Sequence, residues 1–381
     1  MMHIQAKQWF LGKIFGLLLV SGLMAGDVAV AQNQKVFYIG HSLSDQIPDM
    51  VKSLSDDHPQ VGLDWRYQWI PGAPLWWQWD RKAMQDYNPI PPHYIGFYVP
   101  AGGLPEGGFD VLVLTESVPR HWASIGDTHQ FADSFFVYAN QFNPNLRVFI
   151  YEIWHCLDSG TPTGCDYDLD SNPWRQRLTD DLPMWQSVVD TLNTRFSPAN
   201  PICLIPAGQG LAALYDSIQA GVVPGVNQID DLFSDRIHLN DVGKYFIACI
   251  HFAAIHQKSP VGLTNQTQVW WGGNFNPPSP ALALKFQEIA WQTVNNYPDN
   301  CLETTAVHAE QPHEEGFWPY PNPASDAIWL NYEGESRQWM LYDLFGRLIQ
   351  TGISKKISVD DLPAGLYTIQ VGQISKVFVR Q

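Results

Sequence analysis

The stretch "KVFYIGHSLSDQIP", Lys35 to Pro48, puts a hydroxyl side chain, Ser42, directly after a short apolar run and a glycine. A serine in that place caps a helix, turns the chain or attacks an electrophile. To attack, it needs a base that takes its proton, and the base needs an acceptor that holds its tautomer. The later stretch "DLFSDRIHLNDVGKY" supplies both types, Asp235 and His238, three residues apart. On a loop or a single turn, that spacing lets both side chains face one way. The carboxylate then reaches Nδ1 of the imidazole and Nε2 points outward. An Asp at a helix entry is also an ordinary cap, so the pair has a bland reading as well.

Such a site needs elements that bring residue 42 to residue 238. From about Gln34, β-like runs ("KVFYIG", "LDWRYQWI", "FDVLVLTE", "LRVFIYEI" and, more weakly, "PICLIPA") alternate with segments of helical spacing such as "THQFADSFFVYANQF" and "DDLPMWQSVVDTLNTRF". The segment "NDVGKYFIACIHFAAIHQ" reads as a helix capped by Asn240 or Asp241. The pattern predicts an α/β domain with a largely parallel five-stranded sheet, whose ligands bind at the carboxyl ends of the strands. Ser42 stands at one of those ends. His251 and His256 lie on a mostly apolar helix and read as packed or surface histidines rather than metal ligands. The tryptophans of "PLWWQWD" are either a wall of the site, contacting sugar or acyl group, or core.

Charge and export narrow the partners. With 38 acidic and 22 basic side chains, a net charge of -16, a phosphate backbone is an unfavourable partner. Aromatic residues make up 13% of the chain and charged ones only 16%, which suits sugars or extended apolar ligands. Residues 1–31 combine Lys7 and Lys13, the apolar run "IFGLLLVSGLMA" and a terminal "AVA", the pattern of a secretory signal peptide. No later run is long enough to predict a transmembrane helix. Export permits disulfides. Cys156 and Cys165 bracket a polar loop and are expected to pair, leaving Cys203, Cys249 and Cys301, with no CxxC spacing for a metal.

The blocks "YIGHSLS" and "SDRIHLN", in this order in residues 36–257, resemble the SGNH, or GDSL-type, hydrolases. The resemblance implies a three-layer α/β/α esterase or lipase without metal or organic cofactor. Ser42 would be the nucleophile, His238 the general base and then acid, and Asp235 its orienting partner. The family's oxyanion-binding glycine after the second strand falls on Gly72 of "QWIPGAPL", and the Ser42 N–H would be a second donor. Two positions depart from the pattern: His41 stands where an Asp precedes the serine, and no Asn follows "FDVLVLTESVP". Thr115 or Ser117 could replace that Asn as a hydroxyl donor. Glu116 could contact a substrate hydroxyl or organise the loop.

Composition shifts at about Phe317, after the polar connector at 304–316. From there to the end the chain alternates in period two and predicts a small all-β sandwich over 317–381. Its "YPNPASD", "LYDLFGRLI" and "LPAGLYTIQV" resemble the sorting domain of Bacteroidetes type IX secretion cargo. That resemblance implies passage through the outer-membrane secretion machinery. The expectation is a secreted or cell-surface serine esterase over 32–303, acting on carboxylic esters and favouring acetyl groups on carbohydrate. Its rivals are a non-catalytic glycan-binding protein on a degenerate hydrolase scaffold, and a lipase or phospholipase.

Overall fold

The computed structural model describes residues 32–80, 92–118, 123–159, 165, 168, 170–297, 318–320, 324–331, 337–343, 347–372 and 374–380. The leader at 1–31, the connector at 304–316 and Cys301 lie outside them. The chain divides into two compact units, Met1–Glu303 and Thr304–Gln381.

In the first unit, the strands β1 (Gln32–Gly40), β2 (Val61–Trp69), β3 (Val111–Thr115), β4 (Arg147–Glu152) and β5 (Cys203–Pro206) form one sheet in the order β2-β1-β3-β4-β5. Every pairing in it is parallel. This is the α/β architecture that the alternating pattern predicts. Strands buried on both faces read as unbroken apolar runs, and Val36 to Ile39 in β1 and Val111 to Leu114 in β3 are fully buried. The order reverses between β1 and β3. Such a switch point opens a crevice at the carboxyl ends of the strands, and Ser42 follows β1 there.

The helices are α1 (Ile47–Asp57), α2 (Leu75–Asp80), α3 (Ile125–Asn140), α4 (Trp174–Phe196), α5 (Ala207–Gln219), α6 (Asp241–His256) and α7 (Pro280–Asn296). α1 packs on α6 and α6 on α7, while α3 packs on α2 and α4. α1 and α5 are not evident in the strongest periodic stretches. Yet α1 buries Ile47, Met50, Val51 and Leu54, the i, i+3, i+4, i+7 stripe of an amphipathic helix. α4 begins a turn and a half before "DDLPMW", because buried Trp174, Arg177 and Leu178 hold its first turns even though Pro183 interrupts the backbone ladder. Asn240, not Asp241, caps α6, its Oδ1 accepting from the Gly243 N–H at 3.1 Å. The extension after α6 packs on the domain through α7, against α5 and α6.

Cys156 and Cys165 are disulfide-bonded, Cys203 is also in a disulfide, and Cys249 is a buried free thiol. His251 packs edge-on against Tyr151, and His256 Nε2 lies 2.8 Å from Ser55 Oγ, so both are core histidines.

In the second unit, β6 (Trp318–Tyr320), β7 (Ala327–Asn331) and β10 (Lys356–Ser358) make one antiparallel sheet. β8 (Trp339–Tyr342), β9 (Leu348–Gly352), β11 (Gly365–Val371) and β12 (Ile374–Arg380) make another. Ile328 and Leu330 of the first sheet and Leu341, Ile369 and Phe378 of the second share one core, which makes this unit the predicted sandwich. Among the described residues no helix is long and apolar enough to cross a membrane.

Candidate active site

β1 ends at Gly40, and a single tight turn over Ser42–Ser44 follows. A side chain at position 40 would collide with the hydroxyls of Ser44 and Thr115: its Cβ would lie 2.3 Å from Ser44 Oγ and 2.8 Å from Thr115 Oγ1. The glycine therefore lets the turn fold back tightly over β3. His41 caps the turn. Its Nδ1 accepts from the Leu43 N–H at 3.3 Å, and its Nε2 faces the Glu116 carbonyl at 3.0 Å. An acceptor at Nδ1 and a donor at Nε2 define one neutral tautomer, so the ring works as a cap where a carboxylate would otherwise stand. Burial pushes its pKa down to about 4, against the smaller upward pull of the Glu116 carbonyl. Beneath it, Tyr67 Oη donates to the His41 carbonyl at 2.9 Å and lies 2.6 Å from Ser44 Oγ.

Ser42 is thus presented half-exposed at the strand end. His238 Nε2 lies 2.9 Å from its Oγ, and His238 Nδ1 lies 2.7 Å from Asp235 Oδ2. Asp235 Oδ1 accepts from the N–H groups of Ile237 and His238 at 2.8 and 2.7 Å. Partial burial alone would raise the Asp235 pKa, but these N–H groups and the imidazole hold it below the usual carboxylate value. The carboxylate therefore stays ionised beside Nδ1–H and leaves Nε2 as the acceptor for the serine proton.

The Asp–His loop is braced from the segment after β4. Trp154 Nε1 donates to the Ile237 carbonyl at 2.8 Å, and the Leu157 N–H to the Arg236 carbonyl at 2.8 Å. That segment is itself anchored by its disulfide and by a buried cluster. Arg177 donates to Asp168 at 2.6 Å and to the Cys156 carbonyl at 2.8 Å, and His155 pairs with Asp168 and Asp181. Burial opposes a charge on His155, yet the two carboxylates overcome it and raise the pKa to about 9. Nothing in the local spacing of these residues signals this brace, since its partners are separated by nine to 83 positions and meet only in the folded chain.

The remaining candidates fall into two groups. Gly72 occupies the turn after β2 with φ of +64° and open space around its Cα, so it is exposed at the same edge. Thr115 and Glu116 are instead buried. The Thr115 hydroxyl lies under Gly40, and the Glu116 carboxylate accepts from the Leu75 N–H at 3.1 Å, the Ser117 N–H at 2.7 Å and Thr128 Oγ1 at 2.8 Å. Thr115 and Glu116 thus lie inside the fold, and of the two roles open to Glu116 its contacts support the second: its carboxylate organises the loops around the site. Its backbone carbonyl holds His41 and its side chain holds the start of α2, so one residue joins the nucleophile turn to the Gly72 turn. Two buried glutamines, not evident as a pair in the sequence, do similar work. Gln78 Nε2 donates to the Gly40 carbonyl at 2.6 Å, and Gln68 Nε2 to Gln78 Oε1 at 2.9 Å. On α2, Trp76 is exposed and Trp77 half-buried with nearly parallel rings, whereas Trp79 packs into the core against Phe97 and Phe135.

The parallel 2-1-3-4-5 sheet with its flanking helices is the fold that the resemblance to SGNH hydrolases implies. Residues 319–381 match the family model of the secretion system C-terminal sorting domain. A tail of this family marks a secreted or cell-surface chain. Among solved structures, the chain is similar to a DUF4886 family protein from Bacteroides uniformis at 15% identity and a TM-score of 0.47, covering 70% of this chain and 96% of the other. It is also similar to a protein assigned as a GDSL-like lipase from Parabacteroides merdae, at 12% identity and a TM-score of 0.37 over 61% of this chain and 100% of the other. A third is a two-domain esterase active on acetylated mannans, at 10% identity and a TM-score of 0.35 over 65% of this chain and 54% of the other. No curated protein matches the sequence.

Proposed function

We propose that the first unit is a serine esterase that hydrolyses carboxylic esters through Ser42, His238 and Asp235. The observation that carries this reading is the 2.9 Å approach of His238 Nε2 to Ser42 Oγ, with Asp235 on the other ring nitrogen. Ser42 Oγ attacks the ester carbonyl while its proton passes to His238. The oxyanion of the tetrahedral intermediate rests on the N–H groups of Ser42 and Gly72. The alcohol leaves with the proton from His238. Water then gives a proton to His238 and attacks the acyl-enzyme, and the intermediate collapses to the acid as His238 returns that proton to Ser42 Oγ. Asp235 stays ionised throughout and supports the imidazolium.

An acetyl group on carbohydrate is the favoured ester. The triad is open to solvent, which suits a bulky alcohol, and exposed Trp76 with half-buried Trp77 beside it begins four residues after Gly72. We further propose that residues 1–31 direct export and that the C-terminal unit engages type IX secretion machinery in the outer membrane, which its match to a sorting domain supports. A second reading, a glycan-binding protein on a hydrolase scaffold, has one observation in its favour: Thr115 and Glu116 are buried, which leaves only half-buried Ser117 of the named residues to stand in for the family's side-chain oxyanion donor.

Turnover of p-nitrophenyl acetate separates the two. The esterase reading expects the wild type to hydrolyse it and Ser42→Ala to lose at least about 10³-fold. Equal inertness of the two folded proteins would sink it. A comparison of acetyl with long-chain esters tests the acyl choice, since a long-chain preference would point to a lipase.

A further inference from the structure

The turn at residues 269–272 displays Trp271 at its tip, and Trp271 is 60% exposed. The turn is tightly built. The Gly272 N–H donates to the Val269 carbonyl at 2.9 Å, the Val269 N–H to the Gly273 carbonyl at 2.8 Å, and Gly272 takes a φ of +99° that favours glycine. It is also fastened to α1 by a stripe of acceptors four residues apart. Asp49 Oδ1 takes the Trp270 N–H at 2.7 Å, Ser53 Oγ the Gln268 N–H at 3.0 Å, and Asp57 Oδ2 the Thr264 N–H at 2.8 Å. Among the described residues the only ring this indole meets is that of Trp270, so most of its surface is held out in water on a braced turn.

The rings behind it lead to the nucleophile. Trp270 meets Trp271 at 5.3 Å and His93 at 5.3 Å, and the adjacent Tyr94 meets Trp69 at 6.3 Å. Trp270, His93, Tyr94 and Trp69 are each half-buried, so the path has a solvent face along its length. It ends at the site: Trp69 pairs with Gly40 across the sheet, and Tyr94 Oη lies 3.4 Å from Asp45, three residues after Ser42. Aromatic faces stack on the C–H faces of sugar rings. The ionisable neighbours along the path are of both signs, Asp45, Asp49, Asp57 and Asp64 against Lys52, Arg66 and Lys244, and it is the net charge of -16 on the chain that disfavours a polyanionic glycan.

We infer that Trp271, backed by Trp270, is a holding subsite for a neutral polysaccharide chain, with His93, Tyr94 and Trp69 forming the path to Ser42. This rests on the esterase reading for what happens at Ser42, but the binding itself does not need catalysis. The test uses the full chain carrying Ser42→Ala, with and without Trp271→Ala, in affinity electrophoresis against soluble acetylated and deacetylated glucomannan and xylan, with polygalacturonate as the anionic control. The subsite predicts retardation by a neutral polymer, weakened about tenfold by Trp271→Ala and largely restored by Trp271→Tyr. In the otherwise wild-type chain, the ratio of kcat/KM on acetylated polymer to that on p-nitrophenyl acetate should fall about tenfold through KM. Equal retardation with and without Trp271, preferential binding of polygalacturonate, or an unchanged ratio on the polymers would overturn the subsite. If the neutral polymers bind through Trp271 while p-nitrophenyl acetate is not turned over, the esterase reading fails and the subsite stands.

Discussion

At the scale of single residues, His41 is the most informative departure from the family pattern. It keeps the cap on the nucleophile turn by accepting at Nδ1, and this works only while the ring is neutral. As pH falls through about 4 the ring takes a proton at Nδ1, the Leu43 N–H loses its acceptor and the turn loosens. Activity should therefore fall on the acid side more steeply than protonation of the base alone requires. His41→Asn, which keeps an N-cap acceptor without titrating, should remove that additional steepness in a pH–rate profile. His41→Ala should lower kcat by about tenfold with KM little changed, since it removes the side-chain acceptor of the Leu43 N–H and the ring's contact with the Glu116 carbonyl. If the Asn and wild-type profiles coincide at low pH, His41 is a passive filler. The sequence showed that position 41 was unusual. It could not show that a histidine meets the same need, because its second partner lies 75 residues away.

At the scale of elements, the Asp–His loop is no free-standing motif. The spacing of Asp235 and His238 is legible as a local pattern because a carboxylate and a ring three residues apart can meet within one turn. The brace from the end of β4 is not legible, because it depends on which strand neighbours which. Trp154→Phe keeps the ring and deletes the donor to the Ile237 carbonyl. A lost hydrogen bond of this kind costs about 1 kcal/mol, so kcat should drop a few-fold to about tenfold with KM nearly constant, and the melting temperature should move only slightly. A change confined to the melting temperature would show that Trp154 serves packing alone. The same element scale explains why Thr115 and Glu116 are buried: β3 ends level with β1, Ile39 pairing with Leu114, and the turn over Ser42–Ser44 and the start of α2 fold back over its end.

At the scale of the molecule, buried ionisable groups set the pH range of stability. His41, His251 and His256 are neutral inside the first unit, with pKa values pushed by burial to about 4, about 3 and about 3. Unfolded histidines titrate near about 6.5, so below that pH the unfolded chain binds more protons and stability falls as pH drops toward 3. His155 has the opposite sign. Its folded pKa of about 9 stabilises below about 6.5, and that contribution is lost as pH rises through 9. Asp49 and Glu152, raised by burial to about 7, stabilise most below their unfolded values and lose this as pH rises through 7, which blunts the acid loss. Scanning calorimetry from pH 3 to 10 should show the transition of the first unit most stable near pH 6, with an alkaline decline that His155→Gln flattens. An alkaline limb unchanged in that variant would mean that the cluster is not charged as the geometry requires.

The sequence by itself determined the layers and pointed to the candidate site: short unbroken apolar runs between helical stretches favour central parallel strands, and a Ser followed far downstream by Asp-x-x-His marks three residues that the proposed chemistry uses. It also determined the two-unit plan, since the hydrophobic period changes from a mixture to strict alternation. What only the tertiary structure decided is which polar groups face water. Depth below the surface depends on strand stagger and on loops that cross from other elements, and no residue's own sequence context encodes either. That is why Ser42 and His238 are found within 2.9 Å while Thr115 and Glu116 lie beneath them, and why His41 is a cap rather than a defect.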